Sequence, residues 1–226
     1  MTVRILALET SLHHGSLALL AGDRVVSQVS LPAGARSAQS LAPALATILR
    51  AAGWQPQDVA LVAVASGPGS FTGLRVGVTT AKTFAYAAGA DVVGVNTLEV
   101  LAAQCTPATD GDELWAVMDA QRSELFAAQF VRGVSGQWQP AIPVQIIGRD
   151  AWLARLTPRS HVTGPGLTGI VGRIDRSRVE PEHNWLPRAE TVGVLGWQLL
   201  QAGTISDVWS LQPQYYRQSA AEEKAR

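Results

Sequence analysis

The chain has 226 residues, of which 47% are apolar and only 16% charged, and its 18 basic and 18 acidic side chains sum to zero. A chain of this length buries roughly 70% of its unfolded surface, enough for a core without cross-links, and its apolar content excludes a disordered chain. Zero net charge excludes a protein whose main work is gripping nucleic acid unaided, because phosphate-driven affinity needs a basic face. The single cysteine, Cys105, excludes an internal disulfide framework and a cysteine-built zinc site.

The first apolar run, residues 3–8, is broken at Glu9 and reads as neither a signal peptide nor a membrane span. The expectation is a soluble, cytoplasmic protein with no membrane contact. That run and residues 16–20 flank a short polar stretch, and a Gly22-Asp23 turn follows, so the pair predicts a hairpin with a third, half-buried strand over residues 24–31. From residue 40 the apolar positions Leu41, Leu45, Ile48 and Leu49 fall on one helix face, with Ser40 as N-cap, Pro43 in the first turn and Gly53 as the stop. Residues 59–65 are continuously apolar, the pattern of a strand covered on both faces. A glycine-rich turn, a helix over residues 72–88, a strand over 91–95 and a helix opening at Thr97 come next. Strands then alternate with helices, which predicts an α/β fold with parallel pairing after the hairpin.

The second half begins in the same way. A strand over residues 114–118 ends in Asp119 and a further strand covers 124–131, echoing the hairpin around Glu9. Downstream, residues 162–169 resemble residues 65–73, each with a Gly-Pro-Gly core. Two landmarks in the same order predict an internal duplication. The linker-like stretch 106–112 places the boundary, giving lobes of residues 1–105 and 106–226.

Two places offer chemistry. Glu9, Thr10 and Ser11 put an acid and two hydroxyls at a strand end, which suits either a metal-and-phosphate site or a strand turning into solvent. Residues 67–75, with Gly67, Gly69, Ser70 and Thr72, lead from a buried strand into a helix. They suit either an anion at the helix N-terminus or close packing with Ser70 or Thr72 as N-cap. No Gly-Lys-Ser/Thr follows, so the turn is not a P-loop. Gly73, Gly77 and Ala81, with Thr80 beside them, and Ala38, Ala42 and Ala46 on the preceding helix form two stripes of small side chains. Such stripes admit another helix closely, and the expectation is a partner interface there, with Thr79 and Lys82 at its rim. His13, His14, His161 and His183 have no metal-ligand spacing, and no serine sits in a G-x-S-x-G elbow. Asp110, Asp112 and Glu113 read as a solvated loop. Arg173, Arg176 and Arg178, with Asp175 among them, read as a loop or a phosphate contact. Outside these two places the sequence shows no further catalytic constellation.

Residues 5–11 (Ile-Leu-Ala-Leu-Glu-Thr-Ser), the string Gly67 to Gly77 and the late Pro213-Gln214-Tyr215-Tyr216-Arg217 together resemble the bacterial TsaB family over essentially the whole chain. The resemblance implies an ASKHA fold of two ribonuclease-H-like lobes. It also implies a non-catalytic role in making N6-threonylcarbamoyladenosine in tRNA, through a heterodimer with the transferase TsaD joined by TsaE. It implies a possible homodimer when the chain is alone, and tRNA contact only through the complex. TsaD-like chains carry two metal-binding histidines on the helix after the third strand, whereas residues 35–41 here contain none. Glu9 stands where the usual acid is the shorter Asp. The alternative from another class is an ASKHA-type ATP-dependent phosphotransferase using Glu9, Thr10 and the glycine turn.

Overall fold

A computed structural model describes residues 2–32, 37–106, 113–133 and 136–217, and leaves the side chains of Ser37 and Ala38 undescribed. The expected linker core, with Asp110 and Asp112, lies outside the described residues, as do positions 35 and 36. Along the chain run β1 (Arg4–Glu9), β2 (Ser16–Ala21), β3 (Arg24–Ser30), α1 (Ser37–Ala52), β4 (Leu61–Gly67), α2 (Phe71–Ala88), β5 (Asp91–Asn96) and α3 (Thr97–Ala103). They continue with β6 (Glu113–Asp119), β7 (Glu124–Arg132), β8 (Trp138–Gly148), α4 (Arg149–Leu153), β9 (Ser160–Thr163) and α5 (Ala189–Gln201).

By contact the chain forms two compact units, Met1–Val100 with Pro187–Gln214 and Leu101–Leu186 with Tyr215–Arg226. The units therefore interleave in sequence, where composition alone suggests one cut after residue 105. The reason is α5, a helix that the sequence reading leaves out.

In the first unit the sheet order is β3-β2-β1-β4-β5, with β1 antiparallel to β2 and parallel to β4. One face carries Leu6, Leu8, Leu17, Leu19, Val62 and Val64 against Leu41, Ile48 and Leu49 of α1 and Val78, Ala81 and Ala85 of α2. The opposite face carries Ile5, Ala7, Leu20, Ala63, Ala65 and Val93 against Ala189 and Val192 of α5. Burial on both faces is why these strands are apolar throughout rather than alternating. A side chain at Gly196 would meet the Ala63 Cβ at 2.5 Å, so α5 lies flush on the sheet only because it has glycine there.

The helix α1 begins at Ser37, ahead of the expected cap Ser40, which moves Pro43 into its second turn. Pro43 offers no N–H to the carbonyl at position 39, and its own carbonyl accepts the Thr47 hydroxyl at 2.9 Å. Gln39 is exposed, so water can serve the carbonyl that proline leaves unbonded.

In the second unit the order is β8-β7-β6-β9, with β6 antiparallel to β7 and parallel to β9. This repeats the order and direction of the first four strands of the other sheet, the arrangement expected of two duplicated lobes. The landmarks correspond too: Gly67 and Gly164, which end β4 and follow β9, have φ of 130° and 110°, values that favour glycine. The second copy has diverged after its glycine, since Pro165–Leu167 forms one 3₁₀ turn in place of a long helix. The strand β8 was not expected, because Pro140 and Pro143 interrupt its pattern; the edge position of β8 tolerates the missing donors.

Candidate functional site

The strand β1 delivers Glu9, Thr10 and Ser11 to the root of the first hairpin, and all three are fully buried. Glu9 Oε1 accepts the Ser11 backbone N–H at 2.7 Å and also the Ser11 hydroxyl. Glu9 Oε2 is buried with no hydrogen-bond partner among the described residues. Burial pushes the Glu9 pKa from 4.5 up to about 7, against the two Ser11 bonds, which favour the charged form.

The glycine turn lies directly on this root. Ser70 is the N-cap of α2, its side chain accepting from the Gly73 N–H, while its own N–H donates to the Ser11 carbonyl at 2.7 Å. Thr10 Oγ1 donates to the Gly73 carbonyl at 2.9 Å. A Cβ at Gly69 would stand 2.6 Å from the Ser11 carbonyl oxygen, and one at Gly67 the same distance from that of Gln214. Glu9, Thr10, Ser11, Gly67, Gly69 and Ser70 thus meet at the C-terminal ends of β1 and β4. Thr72 does not join them; it faces solvent.

The small-residue stripe of α2 requires a correction. Gly73, Gly77 and Ala81 are buried within their own unit rather than offered to a partner. A side chain on Gly73 would collide with the Thr10 carbonyl, and one on Gly77 with the Thr10 hydroxyl. The stripe is bare because the helix must approach β1 closely, which is a packing demand of the sheet. Ala42 and Ala46 on α1 are exposed as expected, Thr80 is half-buried, and the side chain of Ala38 is outside the described residues. The outer face of α2 consists of Thr72, Arg75, Thr79, Thr83, Tyr86 and Ala87.

The structure gives further residues contacts that the sequence does not announce, including Lys82, expected at the rim of a partner interface. The Lys82 amine donates to the Trp209 and Leu211 carbonyls, each at 3.0 Å, tying the segment after α5 to α2. That segment continues to Gln214, whose N–H donates to the Ser66 carbonyl at 2.7 Å. Tyr86 and Trp209 stack edge to face at 5.3 Å, and Arg75 lies over the Phe71 ring. In the second unit, Gln121, Arg122 and Ser123 all have positive φ, a left-handed run that Asp119 holds by accepting from the Gln121 backbone and side chain at 3.1 Å. A lysine on an apolar helix and a glycine-free turn are visible in the sequence, but neither leaves a pattern that shows what it contacts.

Among the described residues, no three of His, Cys, Asp and Glu gather into a possible metal site, and no helix is long and apolar enough to cross a membrane. The family model described as TsaD, tRNA N6-adenosine threonylcarbamoyltransferase, matches residues 31–161. The tRNA threonylcarbamoyladenosine biosynthesis protein TsaB of Bacillus subtilis is 30% identical over 97% of this chain and 96% of its own. Its Escherichia coli counterpart is 26% identical, covering 98% of both chains. A Pseudomonas aeruginosa crystal structure, of a protein described as similar to the peptidase YeaZ, superposes with a TM-score of 0.81 at 24% identity. That alignment covers 95% of this chain and all of the other.

Proposed function

Because the chain belongs to the TsaB family of tRNA threonylcarbamoyladenosine biosynthesis proteins, we propose that it serves that modification as a non-catalytic subunit, pairing through the outer faces of α1 and α2 with the transferase TsaD. The observation that carries this reading is the composition of the two helices. Neither contains a carboxylate, and their only charged side chains are Arg50, Arg75 and Lys82. A helical surface of Ala, Thr and Tyr without acids matches the charge-poor centre of protein interfaces. The absence of histidine from residues 35–41 and the burial of the Glu9 carboxylate support the non-catalytic part. A metal-bound phosphotransferase needs its acid within reach of solvent and nucleotide, so the kinase reading finds no favouring observation.

In this reading TsaE joins the pair, tRNA is met through the complex in the cytoplasm, and an isolated chain closes the same face on a second copy. The experiment is co-purification with TsaD of a chain carrying both Ala42→Glu and Ala46→Glu. Both sites are exposed, so the variant folds, and the expected result is loss of the complex and of tRNA modification. An intact complex overturns the interface.

A further inference from the structure

The hairpin root and the first turn of α2 are joined by a short chain of bonds that starts at a carboxyl group. Glu9 Oε1 holds the Ser11 backbone N–H and hydroxyl, the Ser11 carbonyl holds the Ser70 N–H, and the Thr10 hydroxyl holds the Gly73 carbonyl. Gly69 sits so close to Ser11 that no side chain would fit between them. Whatever moves Ser11 therefore moves the cap of α2.

Among the described residues of the first unit, none pairs its charge with the carboxyl, whose only bonds are the two to Ser11. Of the elements packed on β1, the strands β2 and β4 carry no titratable side chain. In α5, Glu190 is paired with Arg188 at 3.2 Å. In α2, Arg75 lies over Phe71, Lys82 is held by the Trp209 and Leu211 carbonyls, and Tyr86 is exposed on the outer face. His13 and His14, in the hairpin turn itself, are exposed. With Oε2 unpartnered as well, an ionised Glu9 is, among the described residues, a buried charge lacking both a counter-ion and part of its hydrogen bonding. Relief of that charge needs water at the hairpin root, and the residues that close the root, Ser11 and Thr10, are the ones that hold Ser70 and Gly73.

We infer that Glu9 is a positioning residue whose proton decides how firmly the hairpin root grips the first turn of α2, making the partner helix a proton-sensitive surface. The link to a partner rests on the role given to α2 above; the grip itself does not. The neutral acid holds α2 fast, and the carboxylate loosens it. The near-neutral pKa places the change between about pH 6 and 8.

Amide exchange on the full chain tests the grip, read as protection factors at Ser70 and Gly73 with the β6 amides as an internal reference. Between pH 6 and pH 8 the Ser70 and Gly73 protection should fall about tenfold relative to β6, the change in the neutral fraction of a group that titrates near 7. Glu9→Gln should abolish the fall. Ser11→Ala removes a bond that favours the charged form, so it should displace the fall to higher pH, a signature that a merely structural role would not give. Protection that tracks β6 at every pH, or a fall that persists in Glu9→Gln, overturns the inference. Affinity for TsaD measured at the same two pH values should drop about tenfold in the wild type and stay level in Glu9→Gln. If exchange switches but no TsaD binding occurs at either pH, the partner reading fails and the latch stands. Binding indifferent to pH while exchange switches overturns the link between them.

Discussion

The Thr10 hydroxyl donates to the Gly73 carbonyl at 2.9 Å and occupies the space where a side chain on Gly77 would sit. One strand-end threonine thus sets the distance between β1 and α2. Gly77→Ala should destabilise the protein by about 1–3 kcal/mol through overpacking, although alanine is the better helix former. Thr10→Ala should cost about 1 kcal/mol for the lost bond. In the double variant the alanine at position 77 no longer meets a hydroxyl, so the combined loss should be well below the sum of the two. Urea unfolding of the four proteins measures this coupling, and strict additivity would contradict the contact.

Glu9 makes stability depend on pH with a definite sign. Its pKa is raised from 4.5 to about 7 by burial, so the folded state holds a proton that the unfolded chain releases. Its contribution is complete below about pH 4.5 and is lost as pH rises through about 7. Glu9→Gln should therefore gain on the wild type across this range, by on the order of 3 kcal/mol, and the gap should level off at higher pH. Unfolding midpoints of both proteins from pH 4 to 9 show whether the curves separate upward, as the buried acid demands.

The Lys82 amine is the clasp on the segment between α5 and Gln214. Lys82→Met keeps the aliphatic stem and removes two bonds of 3.0 Å. The expected loss is about 1 kcal/mol, since the group is only part-buried. The local effect should be larger, with faster exchange of the Gln214 N–H that donates to Ser66 and easier protease cleavage near Trp209. Unaltered exchange there would show that Leu211, seated in the core, anchors the segment without help.

The turn between β6 and β7 carries three consecutive non-glycine residues with φ of 66°, 53° and 61°. A Cβ in that region costs about 1 kcal/mol, partly offset when glycine adds entropy to the unfolded chain. Ser123→Gly should raise stability by about 0.5 kcal/mol, whereas Asp119→Ala, which strips the turn of its acceptor for Gln121 and Arg149, should lower it. Thermal melts of the two variants should move in opposite directions.

The hairpin, the doubly covered strands and the duplication were legible because each leaves a periodic or repeated trace. Leu6, Leu8, Val62 and Val64 alternate faces with Ile5, Ala7, Ala63 and Ala65, so an unbroken apolar run already implies cover on both sides. What covered the second face was not legible. Gly193 and Gly196 weaken the apolar stripe of α5 at the positions where it touches Leu20 and Ala63. The Gly73–Gly77 stripe was visible but ambiguous, since missing side chains announce a close approach without saying to what. Only the position of Thr10 resolved it. The buried state of Glu9 had no signal at all, because an acid ending a strand looks the same whether the chain beyond it folds back or points outward.

The interleaving of the first unit bears on synthesis. A ribosome that has released residues 1–100 has supplied every strand of the first sheet, but α5 follows only after residue 188. During that interval Ile5, Ala7, Leu20 and Val93 have no lid, and at typical elongation rates the nascent sheet carries a naked greasy side for roughly 5–20 seconds. Translational pausing after β5 would lengthen that exposure, and a chaperone that captures emerging chains would find its first purchase on the side that α5 later closes.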